Sequence, residues 1–155
     1  MTTNQYVTVH IPESTHMVAA NLFLFFLITI MSNRIIFVFG SNLAGIHGAG
    51  AARWAHLQFG APYEKNVTAR WGKRGQYGVG MQGDAYAIPT KDEWIKTMPL
   101  TSILPYIVEF IGYAKSHPEL DFDVARLGCG LAGYVDADMA PMFSGASDNV
   151  FLHYR

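Results

Sequence analysis

Apolar runs typical of strands alternate with helical patterns from residue 34 onwards, and this alternation constrains the fold more than any other feature of the chain. Runs rich in apolar, β-branched and aromatic residues predict strands buried in a sheet. Four strands are predicted, over 35–39, 84–89, 122–127 and 149–154. Apolar residues at helical spacing predict three helices, over 51–59, 103–114 and 136–144. Alternating strands and helices imply right-handed crossovers between parallel strands. We therefore expect an α/β fold with a largely parallel sheet and helices on both faces.

Glycine and proline mark several element ends. Gly60 follows the first helix, where a glycine is common. For the second helix, Thr101 or Ser102 is the expected N-cap, with Pro105 in the first turn and Pro118 beyond the end. Residues 61–83 contain many glycines and no clear period, which predicts a long loop with one short strand.

The first thirty residues differ from the rest of the chain, because they contain no Lys, Arg or Gly. Their apolar run, 17–31, is shorter than the roughly 20 residues that span a membrane, and no positive segment precedes it. We therefore expect residues 1–32 to be an extension and 33–155 to form one domain. Met31 is a hypothetical natural start; the alternatives are a membrane anchor or an edge strand from Tyr6 to Ile11.

Composition excludes some functional classes. A net charge of −1 does not fit a generic binder of polyanions. The single cysteine, Cys129, excludes an internal disulfide and any site that needs several cysteines, and the six histidines have no metal-ligand spacing. We therefore expect a cytoplasmic protein with no metal, no cofactor and no membrane partner.

Two glycine-rich segments each follow a predicted strand and precede a helix. The first is 40–50 and the second is 128–133. Glycine permits tight turns and lets a ligand approach backbone N–H groups, and helix N-termini favour phosphate. Since loops at the carboxyl ends of parallel strands share one edge of a sheet, the pair predicts a nucleotide cleft. For one loop alone, tight turns and close helix packing are the favoured explanation of the glycines.

Four side chains near these loops are chemical candidates, and three of them have two competing interpretations. Asn42 either hydrogen-bonds a sugar hydroxyl or caps its own turn. Lys91 is either a nucleophile in the cleft or a solvated lysine beside Asp92. Cys129 is either a thiolate at an anion site or a small packing residue. His47 is the one histidine in a candidate binding loop.

Together these motifs resemble the macro domain, the module that binds ADP-ribose. Asn42 and the run His47-Gly48-Ala49-Gly50-Ala51-Ala52 resemble the segment that wraps the distal ribose, and 128–134 resembles the diphosphate loop. The resemblance implies a three-layer α/β/α fold with a mostly parallel mixed sheet. It implies these ligand-binding residues: Gly40, Ser41, Asn42, Gly45, His47, Gly48, Gly50, Gly128, Cys129, Gly130, Leu131, Ala132, Gly133 and Tyr134.

The similarity is greatest to the branch that holds the terminal ADP-ribose glycohydrolase and the antitoxins that remove ADP-ribose from DNA. That branch carries Gly-Cys-Gly-Leu and a catalytic lysine after a strand end, which Ile88-Pro89-Thr90-Lys91 matches. The aspartate that follows Gly-Cys-Gly-Leu there is Ala132 here, and Asp136 or Asp138 is a candidate replacement. Small phage-associated proteins share the Phe-Gly-Ser-Asn-Leu-Ala-Gly opening of the first loop.

The resemblance implies that the chain binds ADP-ribose or an ADP-ribosylated protein or nucleic acid. It also implies hydrolysis of the ADP-ribosyl bond, with Lys91 as the catalytic residue. Two alternatives stay open: a reader without turnover, and a phage accessory protein that binds another nucleotide or the end of an RNA or DNA strand.

Overall fold

The computed structural model describes residues 17–18, 20–24, 33–63 and 78–154. The chain divides into two units, 1–33 and 34–155. In the first unit the described helical residues are exposed. The alternatives of an edge strand at 6–11 and a start at Met31 lie outside the described residues. Within the described part of the chain, no helix has the length and hydrophobicity needed to span a membrane.

A five-stranded sheet organises the second unit. Its strands are β1 (Arg34–Asn42), β2 (Gly80–Gln82), β3 (Ala85–Lys91), β4 (Leu120–Val124) and β5 (Val150–Leu152), in the order β2-β3-β1-β4-β5. β1 pairs in parallel with both β3 and β4, and β4 pairs in parallel with β5. β2 pairs antiparallel with β3. The prediction of an α/β fold with a mostly parallel, mixed sheet is confirmed.

The pleat of β1 divides the core into two parts, each covered by a helix. Ile36 and Val38 pack with helix α2 (Leu100–Ser116), whereas Phe37 and Phe39 pack with helix α1 (Gly50–Phe59). β3 alternates in the same way, since its residues 86 and 88 join the α2 side and its residues 85 and 87 join the α1 side. The arrangement therefore has three layers, with helices on both faces of the sheet.

Alanines make up most of the buried core between α1 and the sheet. Ala52 and Ala55 of the helix belong to one cluster with Phe39 of β1 and with Ala85 and Ala87 of β3. The helix ends as predicted at Gly60, which has a φ of 71° and donates its backbone N–H to the Ala55 carbonyl. The start of α1 is thus held at the carboxyl end of β1.

Several predicted boundaries need correction. β1 runs on to Asn42 and β3 to Lys91, beyond the predicted ends at residues 39 and 89. Helix α2 begins at Leu100 with Pro99 as its N-cap, because the Ser102 and Ile103 N–H groups donate to the Pro99 carbonyl. Pro105 therefore lies in the second turn rather than the first. β4 ends at Val124 instead of residue 127, because the chain turns after the Ala125 N–H bonds to the Val38 carbonyl. The predicted helix at 136–144 divides into α3 (Asp136–Met139) and a 3-10 turn (Ala140–Phe143). β5 is shorter than the predicted strand.

Two neighbouring isoleucines in β1 test which face of the strand packs against α2. Ile36 is fully buried and Ile35 is 60% exposed. We expect Ile36→Ala to lower the free energy of unfolding by about 2–5 kcal/mol, because it leaves a cavity between the sheet and α2. Ile35→Ala is expected to cost less than about 1 kcal/mol. Urea denaturation measures both, and equal losses would contradict the assignment.

Candidate ligand-binding cleft

A cleft of about 410 Å³ lies at the carboxyl ends of β1, β3 and β4. Because these three strands are parallel neighbours, the segments that follow them meet at one edge of the sheet. The cleft is lined by both glycine-rich loops and by the end of β3. Its volume falls within the range of small-molecule sites, roughly 300–1,000 Å³. The prediction that one crevice joins all three segments is confirmed.

Ten of the predicted site residues line this cleft. They are Gly40, Ser41, Asn42, Gly48, Gly50, Lys91, Gly128, Gly130, Leu131 and Ala132. Gly45, His47, Cys129, Gly133 and Tyr134 belong to the same loops but do not line it. Nine further lining residues were not among the predicted site residues: Ile46, Ala49, Ala51, Ala52, Thr90, Ile95, Ala125, Arg126 and Leu127.

The polar side chains at the end of β1 hold the first loop in place. The Asn42 side chain donates from Nδ2 to the Ile46 carbonyl (2.7 Å) and accepts from the Ile46 N–H at Oδ1 (3.0 Å). Gly45, with a φ of 69°, completes the same turn by donating to the Asn42 carbonyl. The Ser41 hydroxyl donates to the Gly78 carbonyl. Of the two interpretations of Asn42, the structure shows the turn-capping one.

The N-terminus of α1 forms one wall of the cleft. Ala49 is its N-cap, with extended backbone and no side-chain hydrogen bond, and the first turn contains no acidic residue. Gly48, Gly50, Ala51 and Ala52 all line the cleft beside it. The first N–H groups of a helix have no intrahelical acceptor and carry partial positive charge. This wall therefore favours an anionic group.

The second glycine loop is anchored from behind. The Gly133 N–H donates to the Gly130 carbonyl and the Tyr134 N–H donates to the Gly128 carbonyl. The Tyr134 hydroxyl donates to the Met98 carbonyl (2.5 Å), and Thr97 donates to the Ala132 carbonyl (3.0 Å). Gly133 and Tyr134 thus support the loop instead of lining the cleft.

The two loops approach each other across the cleft. A Cβ placed on Gly50 would lie 3.5 Å from Leu131 Cδ1. Gly130, in contrast, has open space around it, because a Cβ there would meet no atom of the described residues within 4 Å. Gly130 lines the cleft, and a side chain introduced there would not displace these residues.

Arg126 and Asp136 form an ion pair beside the second loop. Arg126 donates from Nε (3.0 Å) and Nη2 (2.8 Å) to Oδ1 of Asp136, a residue that is only 9% exposed. Asp138 accepts from the Val135 N–H at the start of α3. Neither carboxylate lines the cleft, so the expectation that one of them replaces the aspartate missing at Ala132 is not met. Arg126 itself lines the cleft. Its position directly before the glycine loop is the sequence signal by which it could have been identified.

Lys91 occupies the cleft wall at the last position of β3. Its carbonyl accepts from the Leu43 N–H (2.9 Å), which ties it to the first loop. Asp92 does not pair with it, because that carboxylate accepts from the Trp94 and Lys96 N–H groups. Among the described residues Lys91 has no carboxylate partner.

The charges that line the cleft are all positive. Lys91 and Arg126 are its cationic residues, and no carboxylate lines it within the described part of the chain. Because the helix N-terminus adds partial positive charge, an anion is the complementary ligand.

Ile95 contributes an apolar wall in an unusual conformation. It has a φ of 65°, which is rare for a β-branched residue, and it lines the cleft. The turn that contains Ile95 is held by two hydrogen bonds, which the Asp92 carboxylate accepts from the Trp94 and Lys96 N–H groups. Such strain persists only where surrounding contacts fix it, and it concentrates at functional sites.

Cys129 is a packing residue with a protonated thiol. Its Sγ lies 3.5 Å from the Leu127 carbonyl, and burial, reinforced by Asp136, raises its pKa to about 11. The alternative of a stabilised thiolate is therefore wrong, because desolvation outweighs the attraction of Arg126.

His47 lies behind the first loop. Its side chain is fully buried, with Nε2 3.0 Å from Gln82 Oε1 and the ring edge-on to Phe39. The described residues contain no group of three or more His, Cys, Asp or Glu side chains that could hold a metal ion.

Comparison with family models, with curated proteins and with solved structures gave no significant match.

The raised pKa of Cys129 predicts slow alkylation of the folded protein. At pH 8 a thiol of pKa about 11 is ionised to about one part in a thousand, against about a quarter for an ordinary thiol of pKa near 8.5. Because the chain has one cysteine, mass spectrometry after iodoacetamide treatment reports on Cys129 alone. We expect the folded-state rate to keep rising up to pH 10, while the urea-denatured chain levels off near pH 9. A folded-state plateau below pH 9 would contradict the shift.

Proposed function

We propose that the cleft binds ADP-ribose or an ADP-ribosyl group, with the diphosphate between the start of α1 and the second glycine loop. The observation that carries this proposal is the cleft's charge. Its walls hold Lys91, the uncapped N-terminus of α1 and Arg126, whose charge Asp136 partly offsets, and no described carboxylate lines it. A diphosphate satisfies these donors, and the sequence resemblance to macro domains supports the same ligand.

Apolar side chains provide the surfaces for the uncharged parts of the ligand. Ile46, Ile95 and Leu131 line the cleft beside the donors. Small-molecule sites combine such apolar walls with a few polar groups that fix orientation. Asn42 retains a second N–H and a second lone pair beyond its bonds to Ile46, and these can serve a ribose hydroxyl.

Binding without turnover is the form of this function that the site favours. Ala132 supplies no acid or base, and Asp136 is bonded to Arg126 outside the cleft. The catalytic form of the proposal assigns attack to Lys91. Its neutral amine would bond to the anomeric carbon while the bond to the modified macromolecule breaks; the leaving group takes the proton, and water then releases the sugar.

Calorimetric titration of ADP-ribose into the full chain tests binding. We expect a Kd in the micromolar range, about −8 kcal/mol. Gly130→Glu should weaken binding by at least about 100-fold, since its carboxylate occupies the open space at residue 130 and repels the diphosphate.

Gly112→Glu is the matched control. Gly112 lies in α2 with no described atom near its Cβ position, and the substitution changes the charge equally. It should leave Kd within about twofold. A folded wild-type protein that gives no heat with ADP-ribose would refute the proposal, and titration of AMP and ADP would then test the other-nucleotide alternative.

Lys91→Ala, assayed at saturating substrate, tests the catalytic form of the proposal. If the wild-type protein releases ADP-ribose from modified protein or DNA, we expect Lys91→Ala to lower that rate by at least about 100-fold, because the nucleophile is lost. An unchanged rate would exclude Lys91 as the nucleophile. Tight binding without any release by the wild-type protein would establish the reader alternative.

A further inference from the structure

A second pocket borders the first glycine loop. Its volume is about 530 Å³, and its lining residues are His47, Gly48, Arg53, His56, Leu57 and Tyr63. Gly48 also lines the cleft, so the loop borders both cavities. The proposed binding of ADP-ribose does not use the second pocket.

Helix α1 and the segment after it form this pocket. Arg53, His56 and Leu57 are spaced at i, i+3 and i+4, which places them on one face of the helix. The ring of Tyr63 meets that of His56 edge-on at 5.4 Å, and its centroid is 6.4 Å from that of His47. The Tyr63 hydroxyl also lies against the loop, since a Cβ on Gly48 would be 3.3 Å from it.

One ring nitrogen of His56 is hydrogen-bonded to the backbone, and the other, Nε2, can serve a ligand. Its Nδ1 lies 2.7 Å from the Ala61 carbonyl, and because a carbonyl only accepts, Nδ1 must carry the proton. The neutral ring therefore has an acceptor at Nε2, which becomes a second donor when the ring is protonated.

The remaining polar groups of the pocket suit an anion. Arg53 is exposed and has no carboxylate partner among the described residues. The Tyr63 hydroxyl is a further donor, and no Asp or Glu of the described chain lines the pocket. The oxygens of a phosphate group match these side chains. The guanidinium and the phenol donate hydrogen bonds to them, and the imidazole either accepts one from a P–OH group or donates one.

We infer that this pocket binds a phosphate group, through Arg53, His56 and Tyr63. The site uses different side chains from the ADP-ribose proposal and stands without it. Because Gly48 lines both cavities, this phosphate would lie next to a ligand in the cleft.

Titration of the full chain with inorganic phosphate, followed by NMR of the histidine rings, tests this inference. Sodium chloride at matched ionic strength is the reference for screening. The His56 signal is identified by its loss in His56→Gln. We expect a saturable shift of that signal with a Kd in the millimolar range, and at least about 10-fold weaker binding in Arg53→Gln.

Two further variants decide between this pocket and other sites. Lys115→Gln removes an equal charge from the last turn of α2 and should leave Kd within about twofold. Gly130→Glu obstructs the cleft and should also leave the His56 response unchanged. The inference fails if the shift does not saturate, if chloride reproduces it, if Arg53→Gln and Lys115→Gln have equal effects, or if Gly130→Glu abolishes it.

Discussion

Parallel pairing of β1 with both β3 and β4 is the constraint on which the site depends. In the observed register, Asn42 pairs with Lys91, and Val38 pairs with Val124 before the chain turns toward the second loop. The three strands therefore deliver their following segments to one edge of the sheet. A shift of one residue in either pairing would exchange the two faces of a strand and move its loop away from the others.

Many polar side chains around the cleft are committed to holding the loops rather than to a ligand. Asn42 and Ser41 bond to backbone carbonyls on the first side, and Tyr134 and Thr97 do so on the second. Backbone N–H groups and Lys91 then remain for recognition, because Arg126 is bonded to Asp136. Such a site suits a phosphate, because fixed backbone donors lose little side-chain entropy when they bind it.

Local patterns account for what sequence reasoning predicted. The apolar run in β1, the helical spacing in α1 and Gly60 at its end are properties of neighbouring residues, and the glycine loops follow them directly. Arg126 and Ile95 were missed for a different reason. The pairing of Arg126 with Asp136 spans ten residues, and the turn that holds Ile95 is marked only by Asp92, with no glycine at the position of positive φ. His47 was predicted for the cleft because loop membership does not reveal which way a side chain faces; its bond to Gln82 joins residues 35 positions apart.

The alanine-rich core under α1 links the fold to the cleft. Ala55 is fully buried in a cluster that also contains Phe39, Ala85 and Ala87, so a larger side chain at residue 55 would meet a closely packed core. The N-terminal N–H groups at the cleft wall belong to the same helix, so a displacement of α1 from the sheet would move them as well. Under the proposed function, a substitution of Ala55 would therefore change ligand affinity as well as stability, although Ala55 does not line the cleft.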